Sequence, residues 1–158
     1  TGRKISTMLD YNTHISKDSM FNTPPVFSIY VSMLTLQWIK DHGGIEWIEQ
    51  INNQKSELIY NEIDRNPLFE GVARKEDRSN MNVTFTLTDS TLEETFNQMW
   101  NGAGISGLNG HRSVGGYRAS IYNAMPIESV QVLVDIMKNL ENQVQLITVK
   151  SKIQRLQH

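Results

Sequence analysis

Between residues 110 and 126 the chain reads Gly-His-Arg-Ser-Val-Gly-Gly-Tyr-Arg-Ala-Ser-Ile-Tyr-Asn-Ala-Met-Pro, and three cationic or protonatable side chains, His111, Arg112 and Arg118, fall within eight of those positions. A guanidinium is a planar fork that meets the paired oxygens of a carboxylate or phosphate two to two. Two arginines and a histidine this close suit a ligand with two anionic ends. Gly110, Gly115 and Gly116 interleave with them. Glycine lets backbone approach closely and takes dihedrals that other residues avoid. Arg118 alternates with Ser120 and Tyr122, which puts all three on one polar strand face. The spacing leaves two readings open for that face: the wall of a cleft, or a solvated sheet edge with surface arginines.

The remaining motifs are weaker. Residues 102–107, Gly-Ala-Gly-Ile-Ser-Gly, spell G-x-G-x-x-G. A dinucleotide site needs a strand before this pattern and a helix after it. Here a helix precedes and a strand follows, so the stretch reads as a glycine-rich turn. Asn82-Val83-Thr84 is a glycosylation sequon inside an expected strand, and we do not read it as an acceptor. His14, His42, His111 and His158 show no ligand spacing, so no metal site is expected. There is no Gly-x-Ser-x-Gly elbow.

Composition excludes whole classes. With no cysteine in 158 residues there is no disulfide framework, thiolate metal site or cysteine nucleophile, and the usage fits a reducing, cytoplasmic setting. A net charge of −2 gives no general electrostatic case for binding nucleic acid. No apolar run approaches the roughly 20 residues that span a bilayer, and nothing at the start reads as a secretory signal. The chain opens on Thr1-Gly2-Arg3-Lys4 without an initiator Met, so it is expected to begin within a longer protein.

The elements that must position these residues follow from periodicity. Residues 1–25 read as an irregular connector. Thr23 can cap a helix that the prolines Pro24 and Pro25 open. Phe27, Tyr30, Leu34 and Trp38, with a second row of Val26, Ile29, Met33 and Leu36, predict a wide-striped, mostly buried helix over Val26–His42, closed by Gly43-Gly44. Lacking a partner surface, that helix would expose an apolar face. An amphipathic helix follows over Ile45–Asp64, with Ile48, Ile51, Leu58, Ile59 and Ile63 on one face. A weak strand is expected over Leu68–Ala73. A clean one runs over Met81–Thr88, with Val83, Phe85 and Leu87 inward. Ser90-Thr91-Leu92-Glu93 reads as a capping box opening a short helix. Strands are expected over Ile105–Leu108 and Val114–Tyr122. A last helix follows Pro126, with Ile127, Val130, Leu133, Val134, Met137 and Leu140 inward. The order gives an α+β fold, a small and mainly antiparallel sheet with helices on one face. The domain division is a connector over 1–25, a small domain over 26–142 and an unassigned tail over 143–158.

The segment 110–126 closely resembles the C-terminal signature of the phosphoserine aminotransferase family. Two further blocks agree in order: Ser-Met-Phe-Asn-Thr-Pro-Pro at 19–25 and Asp-Arg-Ser-Asn-Met-Asn-Val at 77–83. The resemblance runs from about Met8 to about Glu141. It implies the small C-terminal domain of a class V, fold-type I enzyme that uses pyridoxal 5'-phosphate and works as a homodimer. Such an enzyme moves an amino group between glutamate and 3-phosphohydroxypyruvate, for serine biosynthesis and in many bacteria for pyridoxine biosynthesis. Carried over, Arg118 would hold the substrate α-carboxylate. His111 and Arg112 would bind the second anion, and Asn22 and Thr23 would contact the cofactor phosphate across the dimer interface. The family's cofactor lysine belongs to its larger N-terminal domain. None of Lys4, Lys17, Lys40, Lys55, Lys75, Lys138, Lys150 or Lys152 lies in its motif, so no catalytic residue is expected here and the chain alone is expected to be inactive. Two rivals stand beside this reading: a non-catalytic anion-binding module that reuses the domain, and another aminotransferase of the same fold.

Overall fold

In the computed structural model, which describes residues 2, 4–113 and 115–156, the elements run α1 (Tyr11–Ile15), α2 (Val26–Asp41), α3 (Gly44–Arg65), β1 (Phe69–Gly71), β2 (Asn82–Leu87), α4 (Glu93–Gly102), β3 (Tyr117–Ser120) and α5 (Ile127–Leu156). They fall into two compact units, Thr1–Gly44 and Ile45–His158. The sequence reading opens its small domain at residue 26, whereas the contacts place α2 with the residues before it.

In the first unit, the stretch expected to be irregular carries the short helix α1, started by Asp10, whose carboxylate accepts from the Asn12 N–H at 3.0 Å. Helix α2 forms where its period predicts. Thr23 does not cap it: the N-cap position is Pro25, with no side-chain cap. A residue that precedes proline is pushed out of the helical region, so the helix waits until both prolines are passed. The expected burial of α2 is corrected as well, for none of its residues is buried, and Phe27 is 79% exposed. A wide apolar stripe shows that a helix has a surface to cover, but not that the surface lies within the same chain.

In the second unit, three antiparallel strands pair in the order β1-β2-β3, with Phe69 opposite Leu87, Phe85 opposite Tyr117 and Val83 opposite Ala119. Alternation sends Phe69, Val83, Phe85, Tyr117 and Ala119 to one face, where they are buried with Phe96 and Trp100 of α4, Ile59 and Ile63 of α3, and Val130, Leu133, Val134, Met137 and Leu140 of α5. Thr84, Arg118 and Ser120 take the other face. The α+β architecture is as expected.

Two local expectations fail for physical reasons. The cap of the 90–93 segment is Asp89, which accepts from the backbone and hydroxyl of Thr91 at 2.9 and 2.7 Å, and α4 begins only after a 3-10 turn over Ser90–Leu92. The strand expected over Ile105–Leu108 is absent. Gly107 turns the chain at φ +71°, and the pairing shrinks to a single bridge between Asn109 and Tyr117. The tail left unassigned continues α5 to Leu156. No glycine or proline interrupts the chain after Pro126. Its apolar residues Leu146, Ile147 and Val149 are exposed, which is why no inward period is legible there. Val114, where the last strand was expected to start, and His158 lie outside the described residues.

Ion pairs tie α3 to its neighbours. Arg65 bridges the buried Glu62 and, at 2.7 Å, Glu141 of α5. Arg78 donates twice to Asp64, at 2.9 and 2.6 Å, and packs its guanidinium over the Tyr60 ring. Arg78, helped by Lys75, holds the Asp64 carboxyl at about 2, below its ordinary 3.8. A depressed carboxylate stabilises the fold fully above its unfolded value and loses that contribution as pH falls through the folded one. We expect Asp64→Asn to cost about 1 kcal/mol or less at neutral pH, because the pair is partly solvated. In chemical unfolding the deficit should shrink as pH falls from 3.8 towards about 2. A deficit independent of pH would show that packing, not charge, carries the contact.

Candidate functional site

Arg118 lies opposite Thr84 on the sheet face turned away from the helical core. Its strand is an edge of the sheet, and the segment before it folds back along that edge. The Arg118 N–H donates to the Leu108 carbonyl at 2.7 Å, and the Gly110 N–H donates to the Gly116 carbonyl at 2.8 Å. These bonds close a loop over 110–116. A Cβ on Gly110 would collide with the Gly115 carbonyl oxygen, and one on Gly116, at φ +64°, would stand 2.8 Å from the Phe85 carbonyl oxygen. The close approach expected of these glycines is therefore present, and it sets the loop against β2.

His111 and Arg112 ride exposed on this loop. His111 Nδ1 lies 2.8 Å from Ser113 Oγ, a contact that engages one nitrogen of the ring. Beneath, the Tyr117 hydroxyl donates to Asn97 Oδ1 at 3.2 Å, and burial pushes its pKa up to about 12, so it stays protonated.

A cleft of about 340 Å³ opens beside β3. Its walls include Gly104, Leu108, Ser120, Met125 and Leu133, and the exposed Arg118 stands at its mouth. The glycine pattern of 102–107 is one of these walls. Gly104 and Gly107, at φ +80° and +71°, carry the chain out of α4 and back to the sheet edge, as a glycine-rich turn should. The opposite wall is the start of α5. Arg118 is thus both exposed on the outer face of the sheet and among the residues that line this cleft.

Charge pairing separates the arginines. Arg65, Arg74 and Arg78 are each held by carboxylates. Among the described residues no carboxylate pairs with Arg112 or Arg118. They are the two arginines of the 110–126 segment.

Asn22 and Thr23 belong to the other unit. Both are exposed in the bend before α2, and among the described residues the Asn22 side chain makes only a 3.6 Å contact from Nδ2 to the Met8 sulfur. An amide and a hydroxyl so loosely engaged fit a phosphate as donors. The sequon residue Asn82 is already in use, accepting from Ser120 Oγ at 3.2 Å and the Tyr122 hydroxyl at 3.3 Å.

One residue near the site was missed. Lys55 of α3 is fully buried, and its ammonium donates to the carbonyls of Ile121 and Tyr122 at 3.1 and 2.7 Å. The signal was available, since position 55 lies four residues before the buried Ile59 and seven after the buried Ile48, on the helix face turned to the core.

Comparison with known proteins adds the following. The model of the family described as aminotransferase class-V matches residues 2–133. Phosphoserine aminotransferase of Flavobacterium johnsoniae is 67% identical over 143 residues, which are 90% of this chain and 40% of that protein. The chain thus spans about 40% of the length of the curated relatives it matches. The solved phosphoserine aminotransferase from Bacillus circulans subsp. alkalophilus superposes with a TM-score of 0.82 at 44% identity, over 88% of this chain and 39% of that one. The phosphoserine aminotransferase of Trichomonas vaginalis, solved with bound pyridoxal phosphate, superposes with a TM-score of 0.76 at 36% identity, over 85% of this chain and 39% of that one.

Proposed function

This chain belongs to the class-V aminotransferase family, and from that premise we propose that it is the substrate-recognising portion of a phosphoserine aminotransferase. The observation that carries the reading is a pair of arginines without carboxylate partners among the described residues, Arg112 on the glycine-closed loop and Arg118 just after it, among the residues that line a cleft. In this reading Arg118 takes the α-carboxylate of phosphoserine or glutamate in bidentate fashion. His111 and Arg112 take the far anion, phosphate or side-chain carboxylate. Holding both ends fixes which bond at the substrate Cα faces the reacting centre.

Asn22 and Thr23 would hold the phosphate of pyridoxal 5'-phosphate, offered to the partner subunit of a homodimer. The cofactor, when bound, supplies the electron sink for amino transfer. The lysine it needs belongs to the part of the family's length beyond this match. Lys55 does not fill that role, because its donors are spent on backbone carbonyls inside the fold. We place the enzyme in the cytoplasm, in serine biosynthesis and, by the same resemblance, in pyridoxine biosynthesis.

The test is amino transfer from glutamate to 3-phosphohydroxypyruvate by the full-length enzyme. We expect activity with the full-length protein and none with the isolated chain. Arg112→Ala should raise KM about tenfold for the phosphorylated substrate, in keeping with the loss of one charge-assisted contact, and less for glutamate. Equal effects on the two substrates would remove Arg112 from the second-anion role. A full-length protein inactive on this pair of substrates would overturn the reading.

A further inference from the structure

An ammonium buried without a carboxylate is costly to keep. Lys55 is such a group: fully buried, with no acidic partner among the described residues, and with burial lowering its pKa. What it holds is specific. The carbonyls of Ile121 and Tyr122 both accept from its Nζ, at 3.1 and 2.7 Å. Successive carbonyls of an extended strand point to opposite sides. Convergence of two of them on one cation therefore marks where the chain turns out of the sheet. One turn earlier on α3, Asn52 Nδ2 donates to Asn123 Oδ1 at 2.8 Å. Three consecutive residues, 121 to 123, are thus read by one helix face. Those residues start the crossover from β3, which carries Arg118, to α5, which forms the facing wall of the cleft.

We infer that Lys55 is a positioning residue, whose buried ammonium sets the crossover from β3 to α5 and with it the place of Arg118 at the mouth of the cleft. The inference rests on the reading of Arg118 as the carboxylate-binding residue. Lysine suits the task because one compact cation on a long apolar stem can satisfy two carbonyls deep in the fold while its methylenes pack against the core. A neutral side chain of the same length would fill the space but withdraw this donor from both carbonyls, leaving the Tyr122 carbonyl with the Met125 N–H at 2.9 Å.

The experiment is a double-mutant cycle in the full-length enzyme, with Lys55→Met, Arg118→Ala and both together, read as KM and kcat for glutamate. Misplacing a binding group by about an ångström can cost up to roughly a hundredfold. We expect Lys55→Met alone to raise KM about tenfold and to change kcat by no more than about twofold, the pattern of lost ground-state binding. In the Arg118→Ala background the same substitution should raise KM no further, because the group it positions is gone. Effects that multiply would overturn the inference and leave Arg118 in its role. An unchanged KM in Lys55→Met would do the same. If Arg118→Ala alone leaves KM unaltered, the reading of Arg118 fails and this inference falls with it. Should Lys55→Met not fold, Lys55→Gln, which keeps two donors on a shorter stem, enters the same cycle and is judged by the same outcomes.

Discussion

Arg118→Ala in the full-length enzyme is expected to raise KM for both glutamate and phosphoserine by about 10- to 100-fold, with kcat changed far less. The magnitude follows from the chemistry lost, since hydrogen bonds to a charged group are worth about 1.5–3 kcal/mol and each 1.4 kcal/mol is a factor of about ten. Both substrates should suffer alike because each carries an α-carboxylate, whereas only one carries a phosphate. Arg112→Ala is the internal contrast, since it should separate the two. The fold should survive the change. Arg118 is exposed, lies on the sheet face opposite the core, and among the described residues its side chain has no hydrogen bond or ion pair, while its backbone N–H donates to the Leu108 carbonyl. A thermal midpoint equal to that of the parent enzyme, measured beside the kinetics, separates lost recognition from lost structure. Unchanged KM for both substrates, in a folded variant, would return Arg118 to the status of a surface arginine on a solvated edge.

Periodicity made the framework legible because its elements obey a single local rule. The alternation of Val83, Phe85 and Leu87 and the stripe from Val130 to Leu140 give the sheet and the last helix directly, and burial agrees. The residues of the candidate site stand out for a different reason. Glycines beside arginines are costly choices for a plain surface loop, and the contact of Gly110 with the Gly115 carbonyl shows the close approach they permit. What stayed hidden depends on long-range partners. Thr23 reads as a cap until the two prolines after it delay the helix, and Ser90 reads as a cap until Asp89 takes the Thr91 N–H. The stripe of α2 looks like core, and only the structure shows that none of its residues is buried. Lys55 is the sharpest case. A charge on an apolar stripe looks like a gap in the pattern, and the carbonyls that satisfy it are more than sixty residues away.

Phe85→Ala is expected to cost about 3–5 kcal/mol, the range for removing a fully buried phenylalanine. Phe85 is wholly inaccessible and stands at the centre of an aromatic cluster. Its ring is stacked on Tyr117 at 5.3 Å and meets Phe69 edge-on at 5.8 Å and Phe96 at 6.4 Å. Three elements, β1, α4 and β3, thus converge on one side chain, and aromatic pairs add about 0.5–1.5 kcal/mol each beyond their area. Collapse cannot refill the space, because the neighbours are themselves rings held by other contacts: Phe96 against Phe69 at 5.2 Å, and Tyr117 by its bond to Asn97. Since a domain holds only about 5–15 kcal/mol in all, this one change should remove a large part of the stability and lower the thermal midpoint by about 6–20 °C, at about 2–4 °C per kcal/mol for a chain of this length. Phe85→Leu, which keeps most of the volume, should recover more than half of the loss. The substitution should also reach the site. Phe85 pairs with Tyr117, one residue before Arg118, and its carbonyl abuts Gly116 at the base of the loop that carries His111 and Arg112. Below the melting temperature, the surviving folded fraction should therefore bind carboxylate substrates more weakly than the parent enzyme. A variant that melts early and yet keeps the parent KM at low temperature would show that the cluster holds the domain together without fixing the position of Arg118.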